Sequence, residues 1–243
     1  QELHYALTDG QLELYYQPQL NIQTNRIAGA EALLRWNHPN KGLLLPDVFI
    51  PIAEESGLIV PIGNWVMQTA VAEAQQWKNI TGFDLRLSVN VSARQFRFQV
   101  LPDLLDTVIN HTGFHPLMLE LELTESLVMN NPAKAAKLLT ELRGKGFSLA
   151  MDDFGTGYSS LAYLKRMPAS EVKIDKSFVL DMLVDENDAA IVQATIDLAH
   201  NLGMKVVAEG VENKETAERL KELGCDILQG YYFSKPLAAD NFL

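Results

Sequence analysis

Six oxygen-bearing side chains stand late in successive apolar runs of this 243-residue chain: Glu31, Asn90, Glu122, Asp152, Asp153 and Glu209. Such runs read as buried strands, and a polar residue inside one needs a partner or a task. Five carboxylates and an amide around one mouth cannot all stay ionised without added positive charge. Lys173, in the run EVKID, offers one such charge. A bound metal is the natural source of the rest. The donors select the metal. All are oxygens, the five histidines (His4, His38, His111, His115, His200) form no H-x-H or H-E-x-x-H pattern, and the single Cys225 cannot build a thiolate site. Oxygen-only ligation suits Mg²⁺, Mn²⁺ or Ca²⁺ rather than Zn²⁺. The adjacent pair Asp152-Asp153 can serve two ions, and two close ions are the usual device for phosphodiester cleavage.

For these residues to meet, one sheet must carry them. Eight strand-like runs are spaced along the chain: 12–20, 26–36, 85–92, 117–125, 147–154, 171–175, 205–211 and 226–233. Helical stretches lie between them. Over 61–78, Ile62, Val66, Ala70 and Ala74 recur at near-helical spacing. The stretch 132–145 starts behind Asn131 as N-cap, with Pro132 at the first helical position. Those over 188–202 and 214–223 end at Gly203 and Gly224. The alternation predicts an α/β fold with a mostly parallel sheet, and eight repeats in this length fit a (β/α)8 TIM-like barrel. A doubly wound open sheet is the alternative. Only NIQTN joins the first two runs, too short for a crossover helix, so one antiparallel strand is expected near the N-terminus.

Period-2 parity then assigns faces. Leu119, Leu121 and Leu123 point at the helices while Glu120 and Glu122 point into the lumen. Ser88 and Asn90, Lys173 and Asp175, and Val207 and Glu209 point inward by the same count. Glu120, Glu171 and Arg86 fall lower in the lumen and read as a structural ion-pair layer. The six candidates fall at the C-terminal strand ends, where barrels keep their active sites. Gln17, Arg35, Glu125 and Gln229 are the other polar residues late in the runs.

Composition bounds the function. The net charge of −11 argues against bulk nucleic-acid binding, and a hydrophobic content of 47% suits a globular core. No stretch approaches the roughly 20 apolar residues of a membrane span, and the N-terminus lacks a signal-peptide pattern. Cys225, in the run LGCDIL, reads as a buried inert thiol, and a reduced, cytoplasmic setting is expected. The chain reads as one domain over 1–243, opening mid-pattern without Met as a segment of a longer protein would. The segment Asp152–Leu161 (DDFGTGYSSL) places two glycines and small hydroxyls between a strand and a helix, as an anion-receiving or lid loop does. Its D-F-G is not a kinase motif, because the other kinase elements are missing.

Glu31–Trp36 (EALLRW), Ser88–Ser92 (SVNVS), Glu122–Glu125 (ELTE), the Asp152–Leu161 loop, Val172–Asp175 (VKID) and Ala208–Val211 (AEGV) together resemble the EAL domain, the family of bacterial cyclic di-GMP phosphodiesterases. The likeness runs from about Leu12 to Pro236. It implies a (β/α)8-type barrel with one antiparallel strand, and hydrolysis of one phosphodiester bond of cyclic di-GMP to linear pGpG with Mg²⁺ or Mn²⁺. By residue, it implies that Glu31, Asn90, Glu122 and Asp152 hold one metal, and that Asp152, Asp153 and Glu209 hold the second with its bridging water. It further implies that Lys173 contacts or activates the water, Gln229 helps to place it, and Glu125 anchors the loop from Asp152. Arg35 matches a phosphate contact, and Gln17, Phe233 and Pro236 lie near the nucleotide. A homodimer packed near 160–166 and the helix from Asp188 is implied too. The truncated start points to an upstream sensory or cyclase domain.

Two other classes compete with an active phosphodiesterase. A nonhydrolytic cyclic di-GMP receptor would have lost ligands, and none is lost here. A carboxylate-pair glycosidase fits Asn90, Lys173 and the Asp pair poorly. It also wants aromatic platforms, whereas Trp65 and Trp77 read as helix residues.

Overall fold

The computed structural model describes residues 2–97, 101–156 and 164–242. A short helix α1 (Glu2–Thr8) precedes strands β1 (Leu12–Asn21), β2 (Arg26–His38) and β3 (Gly42–Leu44). Helices α2 (Pro46–Ser56) and α3 (Ile59–Thr81) lead to β4 (Arg86–Asn90), and α4 (Ala93–Arg97) and α5 (Leu101–Thr112) to β5 (Leu119–Thr124). After α6 (Glu125–Met129) and α7 (Pro132–Gly144) come β6 (Ser148–Phe154) and β7 (Glu171–Ile174). The chain then runs through α8 (Lys176–Asp181), α9 (Glu186–Asn201), β8 (Lys205–Ala208), α10 (Lys214–Glu222), β9 (Ile227–Leu228), β10 (Leu237–Ala238) and α11 (Ala239–Phe242).

The sheet order β1-β9-β8-β7-β6-β5-β4-β2, closed by β1 on β2, makes an eight-stranded barrel. β1 runs antiparallel to both of its barrel neighbours, and the other barrel pairs are parallel. The closed barrel with one antiparallel strand is therefore the observed fold, not the open sheet. β3 and β10 hang on β2 and β1. They escape sequence reading because two or three residues show no period. The runs 205–211 and 226–233 pair over only their first residues. In the second, Phe233 N–H turns back to the Gly230 carbonyl. Helix α2 was not expected either, since Pro51 inside it breaks the pattern even as Pro46 starts it.

Parity holds. Leu119, Leu121 and Leu123 share a core with Ile62, Val66, Ala70 and Ala74 of α3, while Val172, Ile174, Val206 and Ala208 share another with Val192, Ile196 and Ala199 of α9. The Asn131 side chain caps α7 by accepting from Lys134 N–H at 3.2 Å. The lumen is polar instead: Arg86 pairs with Glu171 at 2.5 Å and Glu120 at 3.2 Å, the expected lower ion layer. Burial and the neighbouring Glu171 raise the Glu120 carboxyl to about 8. Asp175 does not stay in the lumen layer, because its carboxylate caps α8 by accepting from Ser177 N–H. Cys225 is buried, and burial pushes its thiol up to about 12. It should resist maleimide in the native protein and react only after unfolding, as whole-protein mass spectrometry will show.

Candidate active site

The barrel's C-terminal mouth is organised around one ammonium. Lys173 is wholly buried, and its Nζ lies 2.7 Å from Glu209 Oε1, 2.9 Å from Glu122 Oε2, and 3.5 Å from both Glu31 Oε2 and Asp152 Oδ1. Four strands and the residue after a fifth aim these groups inward, because each sits at an inward parity position, and Glu31, midway along β2, lies late in the pairing of that strand with β4. Asn90 Nδ2 donates to Glu31 Oε1 at 2.8 Å, and Gln229 Nε2 donates to Glu31 Oε2 at 2.5 Å.

Adjacent residues of a regular strand point to opposite faces, so Asp152 and Asp153 could not both serve one mouth without a distortion. The distortion is present. The β6–β7 register shifts between Met151 and Phe154, and Asp153 takes a left-handed φ of 54°. A bulge of this kind re-aims side chains at the rims of barrels. Asp153 N–H bonds back to Asp152 Oδ1 at 3.0 Å.

One positive charge is shared among four carboxylates, and the imbalance shows in their acidity. Burial opposes the charge on Lys173, but Asp152, Glu122, Glu209 and Glu31 outweigh it and hold the ammonium well above its ordinary range. Burial also opposes ionisation of Glu31, yet Lys173 and the Gln229 and Asn90 amides keep it below the usual carboxylate value. Glu122 lies well above that value, through burial and the nearby Glu31. Burial raises Glu209 to about 8 despite Lys173, and burial with Asp152 and Asp175 raises Asp153 to about 6. The cup therefore prefers protons or cations to a full set of negative charges.

The donor chemistry fits hard divalent cations: every candidate ligand offers oxygen, and the buried Glu122 carboxylate is met by the Lys173 ammonium at 2.9 Å. The cup is not a preformed cage. Among the described residues no three histidine, cysteine or acidic side chains are arranged to hold a metal ion, and the Lys173 ammonium stands where four carboxylates converge. Asn90 presents its NH₂ to Glu31, and its amide oxygen is the atom it would offer a cation.

The remaining expected residues lie on the barrel strands or in the segments that follow them. Arg35 is buried, donates to the Leu34 carbonyl at 2.8 Å, and lies 5.5 Å from the Tyr15 ring. Gln17 Nε2 donates to the Ser234 carbonyl at 3.1 Å, tying β1 to the segment that carries half-buried Phe233 and Pro236. Glu125 is buried at the start of α6 and lines a small cavity with Met151, Phe154, Leu164 and Met167, on both sides of the Asp152 loop. Residues 157–161 of that loop, and 160–163 of the expected dimer segment, lie outside the described residues.

Three features escaped the sequence reading. A cleft of about 540 Å³ opens beside the mouth, between α2, α3 and the end of β4, lined among others by Asp47, Glu54, Asn90, Ser92, Gln95 and Asp153. Its residues come from elements far apart in the chain, which no local pattern joins. Tyr231 and Tyr232 are exposed just beyond Gln229, with Tyr231 near Arg35. Their signal was the QGYYF run, read as continuing strand. Third, Gly230 packs on backbone: a Cβ there would lie 2.1 Å from the Val211 carbonyl oxygen and 2.3 Å from Val211 N. Gly230→Ala should therefore displace Gln229 and lower unfolding stability by about 1–3 kcal/mol in urea titrations.

The family model for the EAL domain matches residues 1–236. The bifunctional diguanylate cyclase/cyclic di-GMP phosphodiesterase MucR of Pseudomonas aeruginosa is 43% identical over 242 residues, covering 100% of this chain and 35% of MucR. The cyclic di-GMP phosphodiesterase NbdA of the same organism is 43% identical over 247 residues, covering 100% of this chain and 31% of NbdA. The solved structure of the PaMucR phosphodiesterase in complex with c-di-GMP superposes with a TM-score of 0.97 at 43% identity, covering 100% of this chain and 98% of that one. This chain spans about a third of the length of the curated relatives it matches. Among the described residues no helix is long and apolar enough to cross a membrane.

Proposed function

The chain belongs to the EAL domain family, and from that membership we propose that it is a phosphodiesterase that hydrolyses cyclic di-GMP to linear pGpG with two Mg²⁺ or Mn²⁺ ions. The observation that carries this reading is the cup in which Glu31, Glu122, Asp152 and Glu209 converge on Lys173, with Asn90 bonded to Glu31. Likeness to relatives named as cyclic di-GMP phosphodiesterases supports the substrate.

In this reading Glu31, Asn90, Glu122 and Asp152 hold one ion, and Asp152, Asp153 and Glu209 the other. When bound, the ions supply Lewis acidity to the phosphoryl oxygens and acidify water for attack. The chain's own residues do the rest. Gln229 and Asn90 orient Glu31 from both sides. Lys173, charged while the carboxylates surround it, acts as a donor that holds the attacking water. It becomes a proton acceptor only once added cations neutralise those carboxylates. Arg35 meets charge developing on the phosphate. Gln17 steadies the segment with Phe233 and Pro236, against which the nucleotide lies. Glu125 anchors the loop from Asp152.

Incubation with cyclic di-GMP and Mg²⁺, followed by chromatography, tests the reading. Conversion to pGpG that a chelator abolishes is expected. Nucleotide binding without conversion would instead mark a receptor.

The activity belongs to one domain, 1–243, of a longer protein with an upstream sensory or cyclase domain, acting in the cytoplasm or at a membrane's cytoplasmic face. The single-domain reading draws support from the match of the EAL model to 1–236. The proposed unit is a homodimer that includes α9. Exposed Leu180, Leu183 and Val184 just ahead of that helix favour it. Sedimentation velocity over a concentration series is expected to show a dimer that Val184→Asp weakens.

A further inference from the structure

Inside the barrel a chain of amides connects the lower ion layer to the catalytic cup. Arg86 Nη2 donates to Gln19 Oε1 at 3.0 Å, and Gln19 Nε2 donates to Gln229 Oε1 at 3.1 Å. Gln229 Nε2 then donates to Glu31 Oε2 at 2.5 Å and to Gln17 Oε1 at 3.2 Å, and Gln17 Nε2 ends the chain on the Ser234 carbonyl. A glutamine amide can present either end to a neighbour, but a guanidinium has donors only. Arg86 therefore obliges Gln19 to turn its oxygen downward and its NH₂ upward. That NH₂ engages the oxygen of Gln229, whose own NH₂ must face Glu31 and Gln17. Reversing any one amide would set like ends together in a buried site, where mispaired polar groups cost most. The lower end is pinned in turn, because Arg86 is clasped by Glu171 and Glu120. Gln19 is wholly buried and lies over Gly29, where a Cβ would stand 3.0 Å from its Oε1 and 2.8 Å from the Arg86 carbonyl.

We propose that Gln19 is a positioning residue of this site. Polarised by Arg86, it fixes the Gln229 amide with NH₂ toward Glu31 and Gln17, and so holds the Glu31 carboxylate and the Gly230–Ser234 segment in working orientation. The proposal rests on the cup being the phosphodiesterase site.

Two substitutions separate polarity from packing. Gln19→Met keeps the length but neither donates nor accepts as the amide does. Its kcat at saturating Mn²⁺ and cyclic di-GMP should fall about 10–100-fold, the usual effect of losing a group that orients a metal ligand. Gln19→Glu keeps the shape. Its new carboxyl would face Arg86, Glu120 and Glu171 below and the Gln229 amide, with Glu31 beyond it, above. Protonated, it can donate to Gln229 as the amide does; ionised, it cannot. The variant should match the wild type at the acid end of the pH range and fall toward Gln19→Met as pH rises. A wild-type-shaped pH profile in Gln19→Glu, or wild-type kcat in Gln19→Met, overturns the proposal, because a packing role would shift melting without reshaping the profile. A second readout needs neither metal nor turnover. In protein labelled with ¹⁵N-glutamine, the Gln229 side-chain NH₂ should be protected from exchange in the wild type and lose protection in Gln19→Met. An unchanged Gln229 resonance overturns the proposal on its own. Protection lost as expected in a protein that turns over no cyclic di-GMP removes the functional reading and leaves the positioning role standing.

Discussion

Glu31→Ala and Asp152→Asn are expected to lower cyclic di-GMP hydrolysis by about a thousandfold or more while leaving the barrel folded. Ion binding at the cup is asked to supply several kcal/mol of transition-state stabilisation, and each 1.4 kcal/mol is about a factor of ten. Glu31 is the carboxylate that Asn90 and Gln229 hold from both sides, so its loss removes a proposed ligand and releases two orienting amides. Glu122→Gln gives the sharper contrast. The Glu122 carboxyl is buried beside Glu31 and lies well above its ordinary range, so its ionised form strains the cation-free fold. The variant should lose activity to a similar degree yet melt higher in chelator. A gain of about 0.5–2 kcal/mol is typical where function has been bought with local instability. In a domain of this size that is about 2–4 °C per kcal/mol. Differential scanning calorimetry in chelator, beside product chromatography, checks both halves. A Glu122→Gln protein that stays active, or that melts below the wild type, contradicts the cup as described.

The second large effect is a dependence of stability on pH that reverses the familiar pattern. A carboxyl whose folded pKa is raised contributes stability that is complete below its unfolded value, near 4.3, and is lost as pH rises through the folded value. Glu209 and Glu120 are both raised to about 8, and Glu122 is raised as well. The chelated protein should therefore become less stable from about pH 5 to pH 8 and beyond. Mn²⁺ should offset the loss at the cup, and the offset should grow with pH as protons leave the ligands. At a hundred times its dissociation constant an ion adds about 2.7 kcal/mol, or roughly 5–11 °C at 2–4 °C per kcal/mol. The Glu120 layer lies below the proposed metal ligands, so part of the decline should persist with metal. Melting curves at pH 5, 7 and 9, with chelator and with Mn²⁺, measure this. A chelated midpoint that climbs across that range would sink the account.

Much of this was legible in the chain because it is local. Alternation along 119–123 put three leucines outward and two glutamates inward, and burial against α3 follows that parity. Five residues between the first two runs sufficed to require an antiparallel pair, and Leu12–Asn21 pairs with β2 that way. The lower Arg86–Glu120–Glu171 layer could be read from the same count. What was not legible lacks period or locality. Two- and three-residue strands carry no alternation. Pro51 masks α2, the wall of the cleft beside the mouth. The exposed Tyr231 and Tyr232 follow a strand that stops at Leu228.

Residue types and spacing alone determined that a ring of oxygen ligands with one lysine should face a barrel mouth, because side-chain alternation is a property of the extended backbone. Tertiary structure alone decided how those groups meet. The bulge that turns both Asp152 and Asp153 to one mouth exists only when β6 pairs with β7. The contacts of Gln229 with Gln19 and Glu31 join residues 210 and 198 positions apart. They form because closing the sheet brings β1 between β9 and β2, and no pattern within either segment encodes that meeting.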